Sequence, residues 1–363
     1  MIDEISGSLS LESFFYTVYN YMNQEDVQMK VSITIPCRNE AKYIARCLNS
    51  IVSCTYSKER LNVYVCDGNS NDRTQEIISE FQIKYPFVHL LKNEKQTTPH
   101  ALNLGLKADD SDIKIILGAH AEIAPNYIEK CIETFKISKQ IACVGGVLEN
   151  ITEDEDTEVI AMAMSSGFGV GNAYFRTGNY SGYVDTVAFG AYKKEVFEKI
   201  GFFDEELIRN QDDEFNYRLL KAGYKIYLSS EIRAAYYVRS SFSKLLKQYF
   251  QYGYWKVFVN KKHQSVTTFR QLVPLFFVLF LLFSWVFFLI PIPFFRWIYP
   301  IGIILYFTTS SAFAVKMAGS VNVFFKIIYV FFILHFAYGF GYLLGIKDFF
   351  IFNTSPKHYS LSR

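Results

Sequence analysis

The chain has no Cys-x-x-Cys pair, little net charge and, over long stretches of its second half, no charged residue at all. Its six cysteines (Cys37, Cys47, Cys54, Cys66, Cys131 and Cys143) all fall in the first half. Residues 1–10 are polar, carry Asp3 and Glu4, and lack the basic flank and apolar run of a secretory signal. A disulfide framework is therefore not expected, and the cysteines read as reduced, small core residues of a cytosolic domain. A functional thiol at Cys37 or Cys66 is the alternative, because both border the strand ends described next. A formal charge of +2 is too small to argue for nucleic-acid binding.

What is present begins with two runs, Val31-Ser-Ile-Thr-Ile-Pro-Cys-Arg-Asn-Glu40 and Val63-Tyr-Val-Cys-Asp-Gly-Asn-Ser-Asn-Asp-Arg-Thr74. Each is apolar and β-rich, stops at polar residues, and opens into a helical pattern. Further short apolar runs at 88–91, 113–117 and 142–148 read as buried parallel strands alongside 31–35 and 62–66. Between them Ile44, Leu48 and Ile51 recur at helical spacing, as do Ile77, Ile78 and Phe81, then Ala101, Leu102 and Leu104, and Tyr127, Ile128, Cys131 and Phe135. The βαβα alternation up to about Leu228 predicts an α/β, doubly wound sheet. It puts Asp67 at a strand's carboxyl end, where open α/β sheets bind ligands, and Asp72 where it can cap the next helix. Residues 1–29 read as a helical segment with Leu11, Phe14, Phe15, Val18 and Tyr19 on one face, packed on the domain or lying on a membrane.

The apolar excess (50% hydrophobic and 18% aromatic residues overall) lies after Arg270. Runs 271–295, 297–315 and 327–346 carry no Asp, Glu, Lys or Arg and approach the roughly 20 residues that span a bilayer. Lys244, Lys247, Lys256, Lys261, Lys262 and Arg270 precede them and should stay cytoplasmic, with Lys316 and Lys326 on the same side and Arg296 outside. Three spans would then place Lys347, Lys357 and Arg363 outside, against that rule. Two spans and a re-entrant or interfacial third segment remove the conflict. The expected division is 1–29, a catalytic domain at 30–240, basic and aromatic interfacial helices at 241–270, a transmembrane region at 271–347, and a tail at 348–363.

Further motifs lie in order along the chain: His100-Ala-Leu-Asn-Leu-Gly105, Gly167-Phe-Gly-Val-Gly-Asn172, Phe189-Gly-Ala-Tyr192 and Arg209-Asn-Gln-Asp-Asp-Glu-Phe-Asn-Tyr-Arg218. With the two strand-end runs they resemble the family 2 glycosyltransferases of GT-A fold, over about residues 31–255. Within that family they are most similar to the succinoglycan-biosynthesis-type glucosyltransferases of bacterial exopolysaccharide assembly. The resemblance implies a GT-A sheet, and the apolar runs add a bundle of about three transmembrane helices after it. It also implies a nucleotide-sugar site at Pro36, Arg38, Glu40, Asp67, Asn69 and Ala119, with Asp67 on the uracil or ribose.

Ile116-Leu-Gly-Ala-His-Ala-Glu122 departs from the wider family, whose Asp-x-Asp holds ribose and a divalent cation here. Gly118 takes the first acidic position, leaving His120 as the implied ligand for Mn²⁺ or Mg²⁺. An imidazole suits Mn²⁺ better, and Glu122 shares its side of an extended segment by period two. The family's Glu-Asp motif maps its catalytic base onto Asp212, with Asp213 as the fallback. Gln211 in place of Glu removes a charge, which should lower the pKa of Asp212 slightly. Plain capping of the following helix by one of these acids is the alternative. Gln251, Tyr254 and Trp255 match a Gln-x-x-Arg-Trp motif with Tyr for Arg. They point to Gln251 and Trp255 as acceptor contacts or, equally, to an interfacial helix.

The expected protein is a membrane-anchored inverting glycosyltransferase of the cell membrane, multi-pass, with a cytoplasmic catalytic domain. It would move a sugar from a nucleotide sugar, a UDP-sugar first of all, to a lipid-linked saccharide in exopolysaccharide or capsule biosynthesis, beside other polysaccharide-assembly proteins. A processive synthase that exports its polymer is the second reading, and a degenerate GT-A scaffold the third.

Overall fold

A computed structural model describes residues 29–178, 180–238, 241–290 and 293–356. The segment expected over 1–29 (Met29 apart) and the tail residues Lys357 and Arg363 lie outside the described residues.

The first half folds as its pattern predicts. Strands β1 (Val31–Cys37), β2 (Leu61–Asp67), β3 (Val88–Lys92) and β4 (Ile113–Ile116) pair in parallel in the order β3-β2-β1-β4. Val31, Ile33, Ile35, Val63, Val65 and Ile115 are wholly buried, as strands covered on both faces require. The intervening helices are α1 (Ile44–Val52), α2 (Thr74–Lys84) and α3 (Thr98–Leu106). Ile44, Cys47, Leu48 and Ile51 of α1 form one buried stripe at helical spacing.

Beyond β4 the sheet becomes mixed. β5 (Ala121–Ile123), α4 (Tyr127–Phe135) and β6 (Ile141–Ile151) are followed by three helices, α5 (Glu155–Met164), α6 (Gly167–Val170) and α7 (Tyr174–Thr177). Then come β7 (Gly182–Val184), β8 (Ala191–Lys193), α8 (Lys194–Ile200), α9 (Gln211–Lys221) and β9 (Lys225–Tyr237). The order continues β4-β8-β6-β9-β5, with β7 also on β9. β8 is antiparallel to β4 and β6, whereas β6 and β9 run parallel. The run expected at 142–148 is thus a strand but not a neighbour of β4, because β8 intervenes.

After the sheet come α10 (Phe242–His263), α11 (Leu272–Phe283), α12 (Pro293–Arg296), α13 (Ile298–Val315) and α14 (Val321–Ile346). Three helical segments, Phe269–Leu289, Ile298–Val315 and Val321–Ile351, are long and apolar enough to cross a membrane, with mean hydropathies of 2.7, 1.5 and 1.9. Val273, Phe276, Ile304 and Leu305 on α11 and α13 are exposed.

The third segment differs from the other two. α14 packs its backbone against α10: a Cβ at Gly253 would stand 1.9 Å from the Tyr338 carbonyl oxygen, and one at Gly341 2.1 Å from that of Phe250. Both of its ends are tied to the sheet domain or to helix α10 beside it. Near the start, Lys326 Nζ reaches Glu155 Oε1 at 2.7 Å and Asp156 Oδ1 at 2.6 Å on α5. Just past the end, Tyr254 donates to Asp348 Oδ2 at 3.0 Å, and Lys261 Nζ donates to the Phe349 carbonyl at 2.8 Å. The adjacent Lys262 pairs with Glu206 at 2.6 Å and with Asp204. A helix of this length is roughly 39 Å long, so α14 lies along the domain rather than pointing away from it.

Candidate active site

The two strand-end loops lock onto each other. Asn39 and Asn69 both take left-handed backbone conformations (φ 55°), which Asn tolerates better than most residues. Ser70 Oγ accepts from the Asn39 N–H at 2.8 Å, and Asn39 Oδ1 accepts from the Asn71 N–H at 2.9 Å. Asp72 takes the N–H groups of Thr74 (3.0 Å) and Ala41 (3.2 Å), so it serves the start of α2 and bridges to the first loop. Burial works to raise the Asp72 carboxyl, but the bonds from Thr74 and Ala41 outweigh it and hold it below the usual range. Asp67 is 2% exposed and accepts from the Ser70 N–H at 3.0 Å and from Gln75 Nε2 at 2.7 Å, with the Ser70 hydroxyl as a third donor.

Next to this clamp a cavity of about 840 Å³ opens between the sheet and the C-terminal helices. It brings together Pro36, Glu40, Ala119, His120, Asp212 and Asp213 from separate parts of the sequence. Phe277, Tyr306, His335 and Tyr338 of the apolar helices form its far wall. Arg38, Asp67 and Asn69 do not line it; they belong to the clamp beside it.

His120 Nδ1 lies 3.3 Å from Glu40 Oε1, and its ring meets Tyr236 edge-on at 5.2 Å. Gly118 leaves no carboxylate here, and a Cβ on it would come within 3.1 Å of the Phe189 ring. Phe189 is itself fixed in a left-handed conformation (φ 50°), its carbonyl accepting from Tyr127 at 2.6 Å. Glu122, the possible further oxygen donor, instead accepts from Tyr237, which in turn accepts from Arg46 at 2.7 Å. Among the described residues no group of three or more His, Cys, Asp or Glu side chains could hold a metal ion. The Glu40–His120 pair therefore fits a cation only if diphosphate oxygens and water complete the shell, as Mg²⁺ sites at substrate phosphates do.

Asp212 and Asp213 open α9, whose preceding Asn210 is left-handed (φ 60°) with its Nδ2 on the Tyr252 carbonyl at 3.2 Å. Asp213 forms an ion pair with the buried Lys256 of α10. Glu214 is fully occupied elsewhere, with Arg218 at 2.8 Å and His263 at 2.8 Å. Asp212 accepts from the Asp213 N–H at 2.9 Å and forms no ion pair among the described residues. Asp212 is an exposed residue of the cavity wall, and the protein crowded round its carboxyl, followed by the charge of Asp213, raises it above the usual range. The small lowering expected from Gln211 is outweighed. A raised, unpaired carboxylate facing a cavity is placed to take a proton.

Gln251 and Trp255 do not reach this space. Gln251 Oε1 accepts from Arg209 Nε at 3.1 Å, and Trp255, 3% exposed, packs with Leu207, Tyr254 and Phe258. These contacts tie α10 to Arg209 and the core, while Gln248, Tyr252 and Lys256 of the same helix line the cavity. The cysteines are all buried and unbridged, and burial pushes the Cys66 thiol up to about 12, which disfavours the thiolate there. Arg176 and Tyr236, both on the cavity wall, were not singled out from sequence.

A mixed sheet with this cavity at the carboxyl ends of its parallel strands is the GT-A architecture of sugar transferases. The model of "Glycosyl transferase family 2" matches residues 32–201. A Methanococcus voltae protein, dolichyl N-acetyl-alpha-D-glucosaminyl phosphate 3-beta-D-2,3-diacetamido-2,3-dideoxy-beta-D-glucuronosyltransferase, is 37% identical over 61% of this chain and 71% of its own length. The succinoglycan biosynthesis protein ExoA of Rhizobium meliloti is 29% identical over 67% of this chain and 74% of its own. Among solved structures, the mannosyltransferase PcManGT of Pyrobaculum calidifontis, in complex with GDP-Man and Mn²⁺, aligns with a TM-score of 0.56 over 92% of this chain and 94% of that one, at 16% identity. The chain belongs to glycosyltransferase family 2 and is a glycosyltransferase.

Proposed function

We propose that the protein is a membrane-anchored inverting glycosyltransferase that moves one sugar from a nucleoside-diphosphate sugar, UDP first of all, to a lipid-linked saccharide. One observation carries this reading: a single cavity has Asp212 and the Glu40–His120 pair on one side and apolar helices on the other. The nucleotide lies over the clamp of Arg38, Asp67 and Asn69, with its diphosphate toward Glu40, Ala119 and His120. Glu40 and His120 would hold a divalent cation, which when bound offsets charge on the diphosphate. Asp212 accepts the proton of the acceptor hydroxyl as that oxygen attacks the anomeric carbon opposite the leaving group. One displacement inverts the configuration. The Methanococcus relative is named for a dolichyl-phosphate-linked acceptor, and ExoA for succinoglycan, which supports an acceptor of this class in polysaccharide or glycan assembly.

In this reading residues 30–240 and the helices of 241–270 form one cytoplasmic catalytic body, and 271–347 anchors it in the cell membrane. α11 and α13 span as a hairpin, while α14 lies at the interface along the domain. That arrangement also keeps Lys347 on the cytoplasmic side. Purified protein incubated with a panel of nucleotide sugars and a polyprenyl-diphosphate-linked saccharide should give a product one sugar heavier by mass spectrometry. Long polymer from donor alone would favour the processive reading, and no transfer or hydrolysis of any donor would favour the scaffold.

A further inference from the structure

The cavity wall contains four Arg and Lys side chains, and three have partners. Lys256 is paired with Asp213, Arg270 Nη2 lies 3.1 Å from Asp185, and Arg209 Nε donates to Gln251. Arg176 is different. It stands on α7, in the 167–176 segment that forms one side of the cavity, and its Nη1 is buried with no hydrogen-bond partner. Its guanidinium lies over Tyr236 at 5.7 Å, on the ring that His120 meets at 5.2 Å, and against Phe175 at 5.4 Å. No acidic side chain is paired with it among the described residues.

A buried guanidinium nitrogen without an acceptor is costly unless a ligand supplies one. Two aromatic rings hold the plane of the group, so its fork is fixed before any ligand arrives. The site has also lost two usual sources of positive or metal-held charge: Gly118 stands at the first acidic position, and Tyr254 stands where an Arg would be, buried and bonded to Asp348. We propose that Arg176 is a phosphate-binding residue, whose Nη1 donates to a phosphate oxygen bound in the cavity beside His120. The phosphate is the diphosphate of the sugar donor or the phosphate of the lipid acceptor. This inference rests on the glycosyl-transfer reading, and its test does not require transfer to be observed.

The experiment compares wild type with Arg176→Gln and Arg176→Lys, after checking that each melts within a few degrees of wild type. Binding of inorganic pyrophosphate is measured by calorimetry with and without Mn²⁺. Loss of one charge-assisted hydrogen bond should weaken it roughly tenfold in Arg176→Gln. Arg176→Lys, lacking the planar fork, should recover only part of this. Two further arms locate the phosphate. If UDP or GDP weakens while uridine or guanosine does not, the donor diphosphate is the ligand. If polyprenyl phosphate in micelles weakens while the polyprenol does not, the acceptor phosphate is the ligand. Equal affinities of wild type and both variants for all these probes, or no binding of any phosphate probe by wild type, would overturn the proposal. Failure of the glycosyl-transfer reading shows separately, as pyrophosphate binding that depends on Arg176 in a protein that transfers no sugar.

Discussion

Two carboxylates side by side on one helix turn cannot play the same part when a single buried lysine reaches only one of them. Lys256 neutralises Asp213, which leaves Asp212 facing the cavity with a carboxyl raised by burial and by its neighbour's charge. The charge of Lys256 also holds Asp212 down, so removing it should raise the Asp212 pKa further. A general base works deprotonated, and the acid limb of kcat/KM against pH reports its pKa in the free enzyme. Lys256→Met should therefore shift that limb to higher pH. An unmoved limb would mean that another group is the base. Stability follows the same sign. A carboxyl whose folded pKa exceeds its unfolded value costs stability once the pH passes the unfolded value. Asp212→Asn should thus melt no lower than wild type at neutral pH.

At the scale of elements, α10 turns two faces to two different surroundings. Its Gln248, Tyr252 and Lys256, four residues apart, share the face that lines the cavity. Gln251 and Trp255 sit on the face turned to Arg209 and the core, so the residues of the motif match lie away from the cavity that their helix lines. β1 to β4 were legible because long apolar runs ended at loop residues. β5, β7 and β8 were not, because strands of three residues carry no period to read. The Asp212 region was legible as chemistry from its three adjacent acids; which acid stays unpaired depended on Lys256, more than forty residues away. The close approach of α10 and α14 depends on glycines at the crossing. Gly253→Ala should lower stability by about 1–3 kcal/mol, because its Cβ meets backbone that cannot yield. Thermal unfolding in detergent checks this; an unchanged melting temperature would mean that the helices separate without cost.

For the whole molecule, in the membrane-anchored arrangement proposed above, the position of α14 decides which side of the membrane the last described residues occupy. The ends of a spanning helix lie on opposite aqueous sides, across about 30 Å of hydrocarbon. Both ends of α14 instead touch the sheet domain or α10, through Lys326 and Asp348. A cysteine at exposed Ser355 should therefore be labelled from the same side as the catalytic domain, and one at Arg296, between α11 and α13, from the other. All six native cysteines are buried, so they give little background. Labelling of Ser355→Cys only from the side opposite the catalytic domain would make α14 a true span.

The central claim is that Asp212 takes the acceptor's proton in a cavity open to lipid-linked substrate. Its most direct test is single-turnover transfer by wild type and Asp212→Asn on the same lipid-linked acceptor, with donor binding measured on both. The account predicts that Asp212→Asn binds donor as wild type does and forms no glycosylated lipid. Product at an undiminished rate from Asp212→Asn would contradict it.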